Sequence, residues 1–130
     1  MVCAVALGGA VGTLLRDLTL RIDDTTWFHA AVGTHGWASR VPWVLMVINL
    51  VGVYLATFTL RVPLARHDPN NVTRLLIITG FFGGFTSYST LYISLGSIWH
   101  VSVAGALLTI TAAVAGGVAA AWLGARSWSK

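Results

Sequence analysis

The chain has 130 residues, of which 56% are hydrophobic and only 9% are charged, and its mean hydropathy is +0.79. A soluble domain carries about 25% charged residues, so this composition argues against a soluble enzyme and against a disordered segment. The single cysteine, Cys3, excludes a disulfide scaffold. We therefore predict a small integral membrane protein.

Four apolar stretches are long enough to cross a bilayer as helices, which requires about 20 residues each. In chain order they run from about Val2 to Leu20, from Pro42 to Leu60, from Val72 to Ile98 and from Val101 to Gly124. They leave no room for a soluble domain, so we predict that residues 1–130 form a single all-α integral membrane domain of four transmembrane helices. The third and fourth stretches meet around residues 96–100 with almost no loop, which predicts an antiparallel hairpin.

The net charge of +4 would suggest nucleic-acid binding in a soluble protein. Here the basic residues are scattered near the ends of the apolar stretches, and they indicate topology instead. The side that holds the 61–71 loop and the C-terminus has Arg61, Arg66, Arg74, Arg126 and Lys130, whereas the other side has Arg21 and Arg40. This bias predicts a multi-pass plasma-membrane protein with both termini in the cytoplasm.

The third stretch contains an anomaly at residues 79–90, where three glycines and several hydroxyl side chains occupy the middle of the predicted span. Each interior glycine costs a helix up to about 1 kcal/mol relative to alanine. The adjacent glycines followed by Phe85 and Thr86 suggest a helix broken mid-span, whose freed carbonyls could coordinate a cation. A continuous helix with a close-packed face of small residues is the alternative, and the residues alone leave both open.

Small residues recur four positions apart on three of the predicted helices, a spacing that lets helices approach closely. These residues are Gly8 with Gly12, Gly80 with Gly84, and Gly116 with Ala120 and Gly124. Oligomerisation is expected, because four short helices cannot enclose a solute path alone. Whether these faces meet a partner or each other is open.

Two further polar groups lie within the predicted membrane segments. Asn49 needs hydrogen-bond partners in the middle of the second stretch, either as a tie between helices or as an ion ligand. Arg16 is costly unless it reaches the interface or pairs, and the adjacent Asp17 points in a different direction on a helix. The four histidines lack metal-ligand spacing, and no set of catalytic residues is present, so we predict no enzyme.

Three motifs, taken in chain order, resemble those of the CrcB/Fluc fluoride channel family. They are Gly8-Gly9-x-x-Gly12-x-x-x-Arg16, Asn49-x-x-Gly52-x-Tyr54, and Gly80-Phe81-Phe82-Gly83-Gly84-Phe85-Thr86-Ser87-Tyr88-Ser89-Thr90-Leu91. The length, the four spans and the order of the motifs agree with that family. The resemblance covers nearly the whole chain, and the third motif is the specific one.

The resemblance implies a passive channel that exports fluoride, built as an antiparallel dimer in the lipid bilayer with two pores at the interface. It also implies a structural sodium ion held by backbone carbonyls of Gly83 and Thr86 from each subunit. By motif position the ion pathway comprises Asn49, Tyr88, Ser89, Thr90 and Leu91, with Arg16 from the first motif.

Two departures from the family pattern affect the implied pore. Leu91 replaces a phenylalanine, and Tyr88 keeps a ring but adds a hydroxyl group. The dimer is either a homodimer or a heterodimer with a homologous subunit of opposite orientation. The basic bias favours the heterodimer, because a homodimer of inverted subunits needs a chain that inserts both ways.

Two other functions stay open from the sequence. A small proton-coupled transporter has a similar size and span number, but it needs a titratable carboxylate inside the membrane. The acidic residues here lie in predicted loops or at span ends. A non-conducting partner subunit of a heterodimeric channel is the other alternative, and Leu91 is the residue that favours it.

Overall fold

The computed structural model describes residues 1–21, 36–61 and 71–127. Five helices make up most of this part of the chain, and no strand occurs in it. They are α1 (Val2–Leu20), α2 (Trp43–Thr59), α3 (Val72–Phe85), α4 (Tyr88–Trp99) and α5 (Val103–Arg126), and a short 3₁₀ helix (Gly36–Arg40) precedes α2.

The helices fall on the predicted apolar stretches. The third stretch is divided between α3 and α4, and each of the other three contains one helix. Among the described residues, α1 and α5 are long and apolar enough to cross a membrane, whereas α2 and α3 are apolar but shorter. For the described residues, the prediction of an all-helical protein with apolar helices of membrane type is confirmed.

The glycines of α1 pack directly against the backbone of α3. A Cβ placed on Gly8 would lie 2.8 Å from Phe81 N, and one placed on Gly12 would lie 2.9 Å from Phe85 N. The contact advances by four residues on both helices, so α1 and α3 run parallel. The face of Gly8 and Gly12 therefore packs within the chain.

A second parallel pair is formed by α2 and α5. A Cβ on Gly116 would meet Leu50, and one on Gly124 would lie 2.5 Å from Tyr54 O. In a chain whose successive spans run in opposite directions, the first and third spans are parallel, and so are the second and fourth. The two observed pairs fit this arrangement.

The buried apolar core lies where α2, α4 and α5 meet. It contains Val41, Leu45, Leu91, Leu95, Ile98, Ala106 and Ala113. The connection between α4 and α5 is only three residues long, and Ser102 caps α5 by accepting a hydrogen bond from Gly105 N at 3.0 Å. This agrees with the predicted hairpin.

Several sequence predictions fall outside the described residues. They concern residues 22–35 of the first predicted loop, residues 62–70 of the second with Arg66, the C-terminal Lys130, and the side chain of Thr90.

Candidate functional site

The third predicted span is interrupted between α3 and α4 at two extended residues. Thr86 has φ −85° and ψ 134°, and Ser87 has φ −146° and ψ 110°. The predicted break is confirmed, but the glycines before it stay helical, with Gly83 at φ −63° and ψ −36°. The interruption is therefore made by the two hydroxyl residues that follow the glycines.

Thr86 ends α3 with its polar groups satisfied locally. Its backbone N–H donates to Phe82 O at 2.9 Å, and its hydroxyl donates to the same carbonyl at 2.8 Å. A threonine hydroxyl that donates to a carbonyl of the preceding turn has a hydrogen-bond partner without water. The last turn of α3 is thereby closed within itself.

Asn49 of α2 braces the break with two hydrogen bonds to one residue. Ser87 N–H donates to Asn49 Oδ1 at 2.8 Å, and Asn49 Nδ2 donates to Ser87 O at 3.2 Å. The side chain is 3% exposed, so these bonds are shielded from water. Of the two roles left open for Asn49, the structure shows the interhelical tie.

One helical turn further along α2, Gly52 provides a second contact with the break. A Cβ on Gly52 would collide with the Thr86 methyl group, Cγ2. The glycine of the second motif thus makes room for the residue that ends α3. Helix α2 therefore contacts both extended residues of the break, Ser87 through Asn49 and Thr86 through Gly52.

A small cavity lies beside this contact. Its volume is about 10 Å³, and it is lined by Met46, Asn49, Leu50, Tyr88, Leu91 and Ala113. A space of this size holds about one water molecule. The structure therefore brings together three of the predicted pathway residues, Asn49, Tyr88 and Leu91, on the wall of one small cavity.

The residues on the wall of this cavity differ in character. Leu91 is 2% exposed and belongs to the apolar core. Tyr88 is partly exposed, and its hydroxyl reaches α5, where a Cβ on Gly117 would lie only 2.8 Å from it. The ring of Tyr88 thus spans from α4 to a position on α5 that has no side chain.

Hydroxyl groups continue from the break along the start of α4. The Oγ atoms of Ser87 and Ser89 are 2.8 Å apart and share a hydrogen bond. Ser89 is exposed, so this pair faces the outside of the single chain. The first N–H groups of α4 follow the same residues, and a helix N-terminus carries partial positive charge.

The structure does not bring Arg16 to the Asn49 cavity. Arg16 is half-buried at an open groove of about 570 Å³ along α1, which Thr13 and Gly9 also line. Asp17 pairs with Arg21 at 3.2 Å, and both side chains are exposed. As expected, Arg16 and Asp17 do not pair with each other.

Gly83 and Thr86, the residues of the implied sodium site, flank the last turn of α3. Gly83 is exposed, and a Cβ placed on it would have no neighbouring atom within 4 Å. Among the described residues no group of three histidine, cysteine or acidic side chains could hold a metal ion. The oxygens available to a cation at this end of α3 are backbone carbonyls and the hydroxyl groups of Thr86 and Ser87.

Sequence reasoning missed three participants in these contacts. Ser87 was not singled out as the partner of Asn49, and no local signal identifies it, because the pair is 38 residues apart. Gly117 was not singled out either. Arg21 could have been found, since an acidic residue followed four positions later by arginine is a favourable helical pair.

The described part of the chain consists of apolar helices, and the third predicted span is interrupted where the buried Asn49 binds Ser87. These features define a helical membrane protein. The chain belongs to the CrcB-like family. The sequence profile described as "CrcB-like protein, Camphor Resistance (CrcB)" matches residues 3–125.

Several proteins similar to this chain are named as fluoride-specific ion channels. A protein of Acidobacterium capsulatum named fluoride-specific ion channel FluC is 36% identical over 121 residues, which is 92% of this chain and 89% of that one. Fluoride-specific ion channel FluC 1 of Cutibacterium acnes is 34% identical over 95% of this chain and 81% of its own length. A third, from Chelativorans sp., is 30% identical over 92% and 89%.

Proposed function

We propose that this chain is a subunit of a passive, fluoride-selective channel through which fluoride leaves the cytoplasm. The observation that carries the proposal is the cavity for one small particle between Asn49 and Tyr88. Membership of the CrcB-like family and the fluoride-channel names of its relatives support it. No catalytic role is proposed.

The chemistry of the cavity suits a small anion better than a cation. An asparagine amide nitrogen carries two hydrogens, and Ser87 O takes one of them. The other is left to donate to an ion in the cavity that Asn49 lines. Tyr88, which also lines the cavity, carries a further donor in its hydroxyl group. The hydroxyl pair of Ser87 and Ser89, with Thr90 next in the chain, lies outside the cavity at the start of α4.

The assembly that we propose is an antiparallel dimer of four-span subunits in the plasma membrane. A single chain buries Leu91 and exposes Ser89, so a second subunit is needed to enclose the hydroxyl groups of α4. The parallel pairing of α1 with α3 and of α2 with α5 supports alternating spans. The basic bias of the sequence supports cytoplasmic termini and a heterodimer.

A structural sodium ion is part of the proposal. The backbone carbonyls of Gly83 and Thr86 would hold it, together with their counterparts in the second subunit. The donor set fits, because the C-terminal end of α3 carries partial negative charge and carbonyl oxygens suit hard cations. When bound, the ion supplies positive charge that lowers the cost of an anion at low dielectric.

Passive flow through such a pore would run outward in a cell. The negative interior opposes the entry of anions and favours their exit. No coupling to protons is proposed. Asp17 is the one acidic residue in the described part of the chain, and it is exposed and paired with Arg21.

The test is fluoride efflux from liposomes that contain the purified channel, with Asn49→Ala as the variant. We expect the variant to reduce fluoride efflux at least tenfold, because it removes a hydrogen-bond donor from the cavity and both hydrogen bonds between Asn49 and Ser87. Thr59→Val is the matched control on α2, since its hydroxyl only donates to Leu55 O in the same helix, at 2.7 Å. Equal efflux from Asn49→Ala and the wild type would contradict the proposal.

A second candidate function is a non-conducting subunit that completes the pore of a homologous partner. The burial of Leu91 in the apolar core, at 2% exposure, favours it, because a phenylalanine edge that would face an anion is missing there. For a paired channel, this alternative predicts that Asn49→Ala in this chain leaves efflux unchanged.

A further inference from the structure

We infer that Asn49 holds the break between α3 and α4 open by taking the Ser87 N–H away from the Gly83 carbonyl, which makes that carbonyl available to a cation. The identity of the cation, sodium, rests on the proposed function. The hydrogen bonds at the break carry the rest of the inference.

The helical order of backbone hydrogen bonds stops at Ser87. In an α-helix the N–H of each residue donates to the carbonyl four positions earlier. Thr86 N still follows this rule, because it donates to Phe82 O at 2.9 Å. Ser87 N does not follow it, because it donates to Asn49 Oδ1 at 2.8 Å. The first carbonyl that loses its helical donor is therefore that of Gly83.

Asn49 binds both backbone polar groups of Ser87. Its amide supplies Ser87 with one acceptor and one donor, and the acceptor takes the place of the Gly83 carbonyl that a continuing helix would have supplied. Because Asn49 is 3% exposed, water does not replace it readily. Without Asn49, the Ser87 N–H can regain a partner by returning to Gly83 O. The side chain of Asn49 and the Gly83 carbonyl thus compete for one N–H.

This competition also affects cation binding at the end of α3. Gly83 lies in the last turn of α3, where carbonyl groups carry the negative end of the helix dipole. The glycine is exposed, and nothing lies within 4 Å of where a side chain would start. A cation there needs the Gly83 carbonyl free. Asn49 is therefore a positioning residue for a cation that it does not contact.

Thermal unfolding of the purified full chain in detergent, in sodium chloride and in potassium chloride at equal concentration, tests this coupling. We expect the wild type to unfold at a higher temperature in sodium, because a ligand that binds only the folded state stabilises it. Asn49→Leu removes both hydrogen-bonding groups and should abolish the difference between the two salts. Thr59→Val, the control on the same helix, should keep it.

Asn49→Asp separates the positioning role from any contact with the anion. It keeps an oxygen acceptor for the Ser87 N–H, and it loses the amide donor. We expect it to retain the sodium-dependent rise in unfolding temperature while fluoride efflux is lost. If Asn49→Leu does not purify as a folded protein, this variant decides the question alone, because loss of its sodium response would overturn the inference.

Two results would overturn the inference directly: a wild type that responds equally to both salts, or an Asn49→Leu variant that keeps the full sodium response. A measurement of fluoride efflux distinguishes failure of this inference from failure of the proposed function. A chain that conducts fluoride while Asn49→Leu retains its sodium response overturns the inference only. A sodium response that disappears in Asn49→Leu, in a chain that conducts no fluoride, overturns the proposed function only.

Discussion

At the residue scale, Gly117 and Tyr88 show how a missing side chain positions another residue. The Tyr88 hydroxyl lies where a Cβ on Gly117 would be 2.8 Å away. Gly117→Ala should therefore displace the hydroxyl and lower the free energy of unfolding by about 1 kcal/mol, near the lower end of overpacking costs, because the end of the ring can shift. Chemical or thermal unfolding of the purified protein measures this.

A double-mutant comparison checks that the cost comes from this contact. In a Tyr88→Phe background the hydroxyl is absent, so Gly117→Ala should cost clearly less than it does in the wild type. The same cost in both backgrounds would show that Gly117 is small for another reason, such as the approach of α5 to α2.

At the element scale, the crossing of α1 and α3 depends on direct contact between backbones. A Cβ on Gly12 would meet Phe81 O and would lie 2.9 Å from Phe85 N. Because backbone atoms cannot move aside as a flexible side chain can, Gly12→Ala should destabilise the protein by about 1–3 kcal/mol. Thermal unfolding in detergent provides the measurement.

Gly96→Ala on α4 is the matched control for that prediction. Nothing lies within 4 Å of a Cβ at this position, so the substitution should be neutral or should stabilise the helix by up to about 1 kcal/mol. Equal destabilisation by the two substitutions would contradict the close crossing of α1 and α3.

The helices could be predicted from the sequence because three of the four apolar stretches end in turn residues or charges. The break could be anticipated from residue types, but its position could not. Gly83 and Gly84 are poor helix formers, and yet the helix continues through them to Phe85. The interruption falls at Thr86 and Ser87, where Asn49, on another helix, competes for the Ser87 N–H. That competition is a tertiary effect.

The helix type of α3 could not be predicted from the sequence either. Leu75–Phe82 forms a π-helix, but the segment is apolar on nearly every side, so it has no polar stripe from which a period could be read. For the site, the motifs predicted Asn49, Tyr88 and Leu91, which do meet at one cavity. Motif order could not show that Arg16 lies at a separate groove.

At the scale of the whole molecule, the basic bias predicts a single orientation in the membrane. Cys3 is the one cysteine of the chain, and it is exposed at the start of α1. A maleimide that cannot cross membranes should leave it unlabelled in intact cells and should label it after permeabilisation. Labelling of about half of the chains in intact cells would show both orientations and would contradict the heterodimer.

The most direct test of the account is ion efflux from liposomes that contain the wild-type chain, first alone and then with a homologous chain from the same genome. We predict fluoride efflux, with chloride retained, once the dimer is complete. Efflux from the chain alone would identify a homodimer, and efflux only from the pair would identify a heterodimer. Fluoride retained in both preparations, or chloride released as fast as fluoride, would contradict the account.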